Sequence, residues 1–260
     1  MPATAPTIHS PLAFPSALFA LLALACTDPA SSEGDEAGSA DTTGTSADTS
    51  AEVGGGEPCE DGDLHEGEAT YYDADGSGNC SFPATPSDLM VGAMNAADYA
   101  GSAVCGSCVR IDGPEGTVEV RIVDQCPECA PGDIDLSPEA FQALAPLEHG
   151  RVPISWTYIP CAVDGPITYH FKDGSNPWWT AVQLRNHRHA IASFEFLDED
   201  TWVEVPRLDY NYFVYDSGMG EGPFSFRVTD VTGEVLEDSG LPLLDDGDVD
   251  GQAQFPACEG

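Results

Sequence analysis

The sequence predicts an all-β protein with two consecutive folded domains. Short runs rich in β-branched and aromatic residues alternate with turns, and the 260 residues include 27 Gly and 21 Pro. Hydrophobic residues make up 42% of the chain, which is sufficient for one or two ordinary cores. A single segment has the features of a helix start: residues 137–141 (SPEAF) offer an N-cap Ser, a Pro at the first helical position and an acidic first turn.

Residues 1–26 predict an export signal. The apolar run at residues 11–25 is too short to span a bilayer but is typical of a secretory signal. It ends in Ala-Leu-Ala directly before Cys26, which is similar to a bacterial lipobox in which Cys26 would be lipidated. Two features depart from that pattern, because no Lys or Arg precedes the run and Ala23 stands where Leu is usual. The alternative is an ordinary signal peptide cleaved nearby, with no role for Cys26.

Residues 27–63 predict a disordered acidic tether. They carry 11 acidic residues and no basic ones, and their apolar residues show no periodicity. Such a segment cannot bury enough surface to offset its ordering entropy. A tether after a lipid anchor would hold a folded module away from the membrane.

The charge of the chain excludes whole classes of partner. It has 8 Lys+Arg against 45 Asp+Glu, for a formal net charge of −37, and its Lys and Arg all lie between Arg110 and Arg227. Phosphate recognition needs clustered basic residues, so we expect no nucleic-acid partner. Anionic lipid surfaces are disfavoured for the same reason, so membrane contact is expected only through the N-terminal lipid.

Two sets of strand-like runs follow the tether. Residues 64–161 contain EATYY, VRID, TVEVRIVD and VPISWTYI, which predict a β domain with one or two short helices. Residues 165–258 contain ITYHFK, TAVQLRN, ASFEFLD, TWVEVP and FSFRVTD, whose spacing suits a compact antiparallel sandwich.

The cysteines allow two interpretations. Eight remain besides Cys26, and an even number in an exported chain points to disulfides. The alternative is a zinc ribbon, because two Cys-x2-Cys pairs have the required spacing. We favour disulfides, since the compartment is oxidising and a strand-like run separates the pairs. Their connectivity stays open, and the outermost two could tie the ends of the folded region together. The eight are Cys59, Cys80, Cys105, Cys108, Cys126, Cys129, Cys161 and Cys258.

Carboxylates near aromatic residues are the candidate chemistry of the first domain. Asp73 follows Tyr71-Tyr72, while Asp124 and Asp135 lie in short β-rich runs. Two carboxylates across a groove are the minimal apparatus for glycoside hydrolysis. The alternative for any single Asp here is a turn residue that caps backbone groups.

Tryptophans are the candidate binding residues of the second domain. Trp178 and Trp179 follow Gly-Ser-Asn-Pro at a loop-to-strand junction, where an irregular backbone allows both rings to face solvent and stack on sugars. The alternative places one of the two in the core. Trp156 and Trp202 lie in alternating strand patterns and are predicted to be core residues.

Several motifs, in order, resemble the bacterial and fungal expansins. The first domain contains GEATYYD, a long run from AMNAADY to DLSPEAF, and GRVPISWTYIPC, while the second contains YHFKDGSNPWWTAVQLRNHRHAI and LDYNYF. The resemblance covers about residues 64–256. It implies a six-stranded double-psi β-barrel joined to an immunoglobulin-like, cellulose-binding β-sandwich, and non-hydrolytic loosening of cell walls. The implied partner is cellulose or a related β-glucan, bound by a monomer without cofactor or metal.

The resemblance also assigns residues to the groove of the barrel. Asp135 matches the essential groove aspartate, Thr70 the groove threonine and Asp124 a second acid. Tyr72 stands where some relatives have Thr. Cys126 stands where some have Tyr, so one sugar contact would be missing.

In the sandwich, Trp178, Trp179 and Tyr210 match the planar cellulose-binding aromatics, with Lys172 beside them. The charge departs from basic relatives, since −37 should repel acidic polymers such as pectin and teichoic acid. A neutral glucan is therefore the expected ligand.

Asp73 supports an enzymatic alternative. Family 45 glycoside hydrolases share the barrel and place a catalytic base after a Tyr-aromatic pair, so Asp73 as base and Asp135 as acid would make an inverting hydrolase. The Gly- and Ser-rich residues 74–82 resemble expansins instead. A further alternative is cleavage of peptidoglycan, as in related lytic barrel lipoproteins. We expect a non-hydrolytic protein without catalytic residues.

Overall fold

The computed structural model describes residues 62–257, which lie within one compact unit of the chain. The predicted export signal, Cys26, Cys59, Cys258 and nearly all of the predicted tether lie outside the described residues. Within residues 62–257, no helix is long and apolar enough to cross a membrane.

Six strands close a barrel in the first half of the described chain. Around the barrel the order is β1-β5-β2-β4-β3-β6, with β1–β5 and β2–β4 parallel and the other pairs antiparallel. The closed six-stranded barrel implied by the resemblance is confirmed. The strands are β1 (His65–Tyr71), β2 (Val91–Asn95), β3 (Cys108–Asp112), β4 (Thr117–Cys126), β5 (Ile134–Leu136) and β6 (Val152–Ile159).

Two short α-helices accompany the barrel. The predicted helix is α2 (Pro138–Gln142), and the side chain of Ser137 caps it by accepting a hydrogen bond from the Ala140 N–H at 3.0 Å. The other helix, α1 (Ala96–Tyr99), was not predicted, because four residues are too few to show a helical period. Segments of 3₁₀-helix follow at Ala100–Ser102 and Leu147–His149.

The barrel core confirms the prediction for Trp156. The side chain is 1% exposed, and its indole N–H donates to the Gly132 carbonyl at 2.8 Å. The imidazole of His65 stacks on the indole with ring centroids 3.9 Å apart. A buried indole with a satisfied donor fixes β6 against the turn before β5.

Eight strands in the second half form two antiparallel four-stranded sheets, β10-β9-β12-β13 and β11-β8-β7-β14. Aromatic side chains from both sheets meet in one core, where the rings of Tyr169 and Phe226 are 5.2 Å apart. The predicted sandwich is therefore confirmed. The strands are β7 (Thr168–Phe171), β8 (Thr180–Arg185), β9 (Ile191–Asp198), β10 (Thr201–Glu204), β11 (Phe213–Tyr215), β12 (Phe224–Asp230), β13 (Val235–Leu241) and β14 (Gly247–Asp250).

The core prediction for Trp202 is wrong. This residue lies on the edge strand β10 and is only half-buried. The guanidinium of Arg227 covers its ring at 4.1 Å from the ring centroid. Alternation along a strand separates two faces but does not say which face a second sheet covers.

Three disulfides lie within the described residues: Cys80–Cys105, Cys108–Cys161 and Cys126–Cys129. The preference for disulfides is confirmed. The zinc-ribbon alternative is wrong, because Cys105 and Cys108 have different bridge partners. In the same part of the chain, no group of three or more His, Cys, Asp or Glu residues could hold a metal ion.

Candidate functional site

The first part of the candidate site lies where β1 and β5 run parallel. Thr70 and Asp135 are register partners, and the Thr70 hydroxyl donates to Asp135 Oδ1 at 2.5 Å. Burial raises the pKa of Asp135, and the hydrogen bond from Thr70 opposes that change. Glu128 and Asp124 also raise the pKa, whereas Arg151 lowers it. The Asp135 carboxyl is thus half-buried among acidic neighbours.

Tyr72 lies just beyond the end of β1 and packs against the barrel core. It lies two residues after Thr70, so both side chains point to the same side of the extended backbone. Its hydroxyl is close to Asp124, but within residues 62–257 it forms no well-aligned hydrogen bond. Burial, together with the charges of Asp124 and Asp135, raises the pKa of Tyr72. The phenol therefore keeps its proton at neutral pH, and its hydroxyl is buried.

Asp124 is held by the loop that precedes the first disulfide. Its Oδ1 accepts hydrogen bonds from the backbone N–H groups of Asn79 at 2.6 Å and Gln125 at 2.8 Å. Gly78 allows this contact, because a Cβ there would lie 2.4 Å from Cγ of Asp124. Together, Thr70, Tyr72, Asp124 and Asp135 form what we call the barrel cluster.

Asp73 is placed differently from the barrel cluster. Its side chain is exposed, and within the described part of the chain it has no hydrogen bond or ion pair. The carboxylates that most affect the pKa of Asp135 are those of Glu128 and Asp124. Asp73 therefore lacks the held geometry expected of a catalytic base partner to Asp135.

Cys126, which stands where some expansins have Tyr, forms a disulfide. Its disulfide to Cys129 closes a turn that carries Glu128, one of the charges acting on Asp135. Arg151, which lowers the pKa of Asp135, forms an exposed ion pair with Glu68 at 2.8 Å. Neither Glu128 nor Arg151 was recognised from the sequence, since only the closed barrel brings them near Asp135.

The second part of the candidate site contains Trp178, Trp179 and Tyr210, which we call the aromatic platform. The Trp178 side chain is 76% exposed. Trp179 and Tyr210 are half-buried and pack on a small cluster that includes Tyr212. The ring of Tyr210 lies 5.8 Å from that of Tyr212, and Nζ of Lys172 lies 5.6 Å from the Tyr212 centroid. Lys172 thus lies beside the platform.

Backbone contacts hold the tryptophan loop in place. Asn176 and Trp179 exchange two backbone hydrogen bonds, at 2.8 and 3.2 Å. The Asn176 side chain accepts a third from the Trp178 N–H at 2.9 Å. Gly218 packs against the loop at φ +73°, where a Cβ would lie 2.4 Å from Cα of Trp178. The exposed ring of Trp178 therefore projects from an ordered backbone.

A hydrogen-bonded junction joins the barrel cluster to the platform. Asn79, whose N–H binds Asp124, donates from its side chain to the Asp209 carbonyl and to the Tyr99 hydroxyl, each at 2.9 Å. Tyr99 also donates to the Asp209 carbonyl at 3.0 Å. Asp209 directly precedes the platform residue Tyr210. One loop thus contacts both parts of the site, which the sequence did not reveal.

Comparison with known proteins identifies the family. The chain is 37% identical over 204 residues to Expansin-YoaJ of Bacillus subtilis, which covers 75% of this chain and 88% of that protein. The chain belongs to the expansin family. Expansin-like protein 2 of Dictyostelium discoideum is 33% identical over 189 residues, covering 67% of this chain and 46% of that protein.

Solved expansins share the fold. The apo expansin of Clavibacter michiganensis matches with a TM-score of 0.70 at 34% identity, over 74% of this chain and 98% of that one. An Asp-to-Asn variant of that expansin in complex with cellohexaose matches with the same values. The family model described as lytic transglycolase matches residues 65–156, which is the barrel without the sandwich. The expansin matches extend over both halves.

Proposed function

We propose that this protein binds cellulose or a related neutral β-glucan and loosens cell walls without hydrolysis. The observation that carries the proposal is the 76% exposed ring of Trp178 on a hydrogen-bonded loop. Asn79 links Asp124 of the barrel cluster to Asp209, the residue before Tyr210 of the platform. Flat aromatic surfaces stack on the apolar faces of sugar rings. A related expansin was solved with cellohexaose, which supports the same ligand class here.

The two parts of the site have different roles in this proposal. Trp178, Trp179 and Tyr210 dock the sandwich on a glucan surface, with Lys172 donating to sugar oxygens. The barrel cluster then engages a neighbouring chain: Asp135 and Asp124 accept hydrogen bonds from sugar hydroxyls, and the partly buried ring of Tyr72 lies beside them. Hydrogen bonds to ionised groups are the stronger ones, so they compete best with contacts between glucan chains.

Hydrolysis is the less favoured alternative. An inverting mechanism needs a second carboxylate held on a water opposite the general acid. Asp73 is exposed and has no bonding partner among residues 62–257. Expansins are generally non-hydrolytic, and the relatives that cover both halves of the chain belong to that family. The same coverage disfavours the lytic peptidoglycan alternative, because the lytic transglycolase family model matches residues 65–156 and not the sandwich.

The test measures adsorption, extension and cleavage on the same variants. We expect depletion of the protein by cellulose but not by polygalacturonate, extension of wall strips under load, and no new reducing ends. Replacing Trp178 and Trp179 together by Ala should weaken adsorption at least about ten-fold, at about 1 kcal/mol for each lost ring. Asp135→Asn should abolish extension and leave adsorption nearly intact.

Trp202→Ala is the matched control, because it removes an indole from an edge strand outside the platform. Its adsorption should equal that of the wild type. Unchanged adsorption after loss of Trp178 and Trp179 would remove the platform from the proposal. Reducing ends that disappear in both Asp73→Asn and Asp135→Asn would replace the proposal with an inverting hydrolase.

We further propose that the chain is exported and anchored by a lipid on Cys26, with residues 27–63 as tether, the barrel domain at 64–161 and the binding sandwich at 165–258. Labelled palmitate should enter the wild type and be absent from Cys26→Ser. Ala23→Leu restores the usual lipobox residue and should increase the labelled fraction. Equal labelling of Cys26→Ser would refute the anchor and leave simple export.

A further inference from the structure

A cavity of about 540 Å³ lies between the barrel and the start of the sandwich, and it shares no residue with the barrel cluster or the platform. Its volume is in the range of small-molecule sites. The lining is mixed: one cation, several carboxylates, a buried imidazole and an apolar wall. The residues that matter for its chemistry are Asp88, Glu119, Arg121, Ile159, Pro160 and His187.

Arg121 is a cation with unused donors in this cavity. Its guanidinium lies 5.3 Å from the ring centroid of Phe82, and burial lowers the pKa of the side chain. Within residues 62–257 that side chain has no hydrogen bond and no ion pair, although the charge of Asp88 acts on it. A half-buried guanidinium without a partner is costly, and an anionic ligand group would relieve that cost.

His187 supplies the complementary acceptor. Its side chain is 4% exposed, and its Nδ1 lies 2.7 Å from the His189 carbonyl oxygen. A carbonyl only accepts, so Nδ1 carries the proton and Nε2 presents a lone pair. Burial lowers the pKa of His187 to about 4, with Arg121 among the nearby charges that contribute, so the ring is neutral at pH 7. No residue in the described part of the chain donates to Nε2.

We propose that this cavity binds a sugar acid, with the carboxylate on Arg121 and a neighbouring hydroxyl donating to Nε2 of His187. The apolar face of the sugar packs on Ile159 and Pro160. Sulfate or chloride would satisfy Arg121 but offers His187 no hydrogen-bond donor at neutral pH.

The carboxylates of the lining set the charge of the ligand. Asp88 and Glu119 repel any negative charge on the ligand beyond the single carboxylate that Arg121 binds. The cavity therefore selects a ligand with one isolated carboxylate, such as a single uronate on an otherwise neutral glycan. Polyuronates are excluded, both by this lining and by the net charge of −37.

The test titrates the isotope-labelled full-length protein with methyl β-D-glucuronide and follows backbone amide signals. We expect saturable shifts at Arg121 and His187, and no response to methyl β-D-glucoside. Arg121→Gln should weaken binding at least about ten-fold, as for loss of a charge-assisted hydrogen bond. Arg227→Gln is the charge-matched control outside the cavity, and its affinity should be that of the wild type.

Asp88→Asn gives a second, independent readout in case Arg121→Gln does not fold. The Asp88 carboxylate is the charge that acts on Arg121. Its removal should tighten glucuronide binding, because the ligand carboxylate no longer meets a like charge beside Arg121. A xylo-oligosaccharide with one glucuronate branch distinguishes the sources: tighter binding than the free glucuronide assigns the cavity to a polymer branch, and equal binding assigns it to a free sugar acid. Equal responses to glucuronide and glucoside, or to acetate alone, would overturn the proposal. Unchanged affinity in a folded Arg121→Gln or in Asp88→Asn would also overturn it.

Discussion

Asp135 shows how the fold keeps a functional carboxyl in an unfavourable setting. Burial is the main cause that raises its pKa, and the Thr70 hydroxyl only partly offsets it. The folded protein therefore holds the Asp135 proton more tightly than the unfolded chain does. That contribution to stability is complete below the ordinary Asp pKa of about 3.9 and is lost as pH rises through the folded pKa. At neutral pH the charged Asp135 carboxylate therefore slightly lowers the stability of the folded protein, and we attribute its retention to glucan binding.

We predict that Asp135→Asn raises the unfolding temperature at pH 7 by about 1–2 °C and has no such effect at pH 3. The amide removes the charge but keeps an oxygen that accepts from Thr70. The effect is small because the carboxyl is half exposed and solvent screens it. Thermal unfolding at both pH values measures it, and a lower unfolding temperature at pH 7 would contradict the sign.

Asp133→Asn is the matched control, because the two oxygens of Asp133 accept from the backbone N–H groups of Glu68 and Ala130 at 2.8 and 3.1 Å. An amide has one acceptor oxygen fewer, so this variant should unfold at a lower temperature than the wild type.

At the level of elements, strands with clear alternation could be predicted and the others could not. The run VPISWTYI coincides with β6, where buried and exposed positions alternate at the start. In contrast, β2 is buried at all five positions and reads as an ordinary apolar run. The three-residue β5 and the acidic β14 exist only through pairing with distant strands. Local pattern contains no information on such partners.

The same limit separates the predicted from the unpredicted parts of the candidate site. Thr70, Asp135 and the platform residues sit in motifs that resemble one family, so the sequence indicated them. Asn79 donates its backbone N–H to Asp124, 45 residues away in sequence. Glu128 acts through its charge on Asp135, 7 residues away. Only barrel closure and the turn at Cys126–Cys129 bring these groups together.

At the level of the whole molecule, the barrel and sandwich are joined by a dense set of polar contacts. Asn79 is not the only residue at this junction. The Cys80 carbonyl accepts hydrogen bonds from the side chains of Gln183 at 2.8 Å and Asn211 at 3.2 Å. Ser102 donates to the Leu208 carbonyl at 2.8 Å. Buried backbone groups in the barrel are thus satisfied by sandwich residues, so each domain completes the hydrogen bonding of the other. These contacts therefore fix the orientation of the barrel, with its cluster, relative to the sandwich, with its platform.

Asn79→Ala should make the relative orientation of barrel and sandwich less restricted while leaving each domain folded. The variant loses two side-chain hydrogen bonds, about 1–2 kcal/mol of stability at the junction, but keeps the backbone N–H that binds Asp124. We predict that cellulose adsorption is retained, that wall extension falls, and that residual dipolar couplings report a wider range of relative domain orientations, since the hydrogen bonds to the Cys80 carbonyl remain. Asn79→Asp should be worse, because it places a third carboxylate near Asp124 and Asp209, whereas Gln142→Ala on the exposed side of α2 should change nothing. Full extension activity despite the wider range of domain orientations would show that the glucan, not the junction, aligns the two parts of the site.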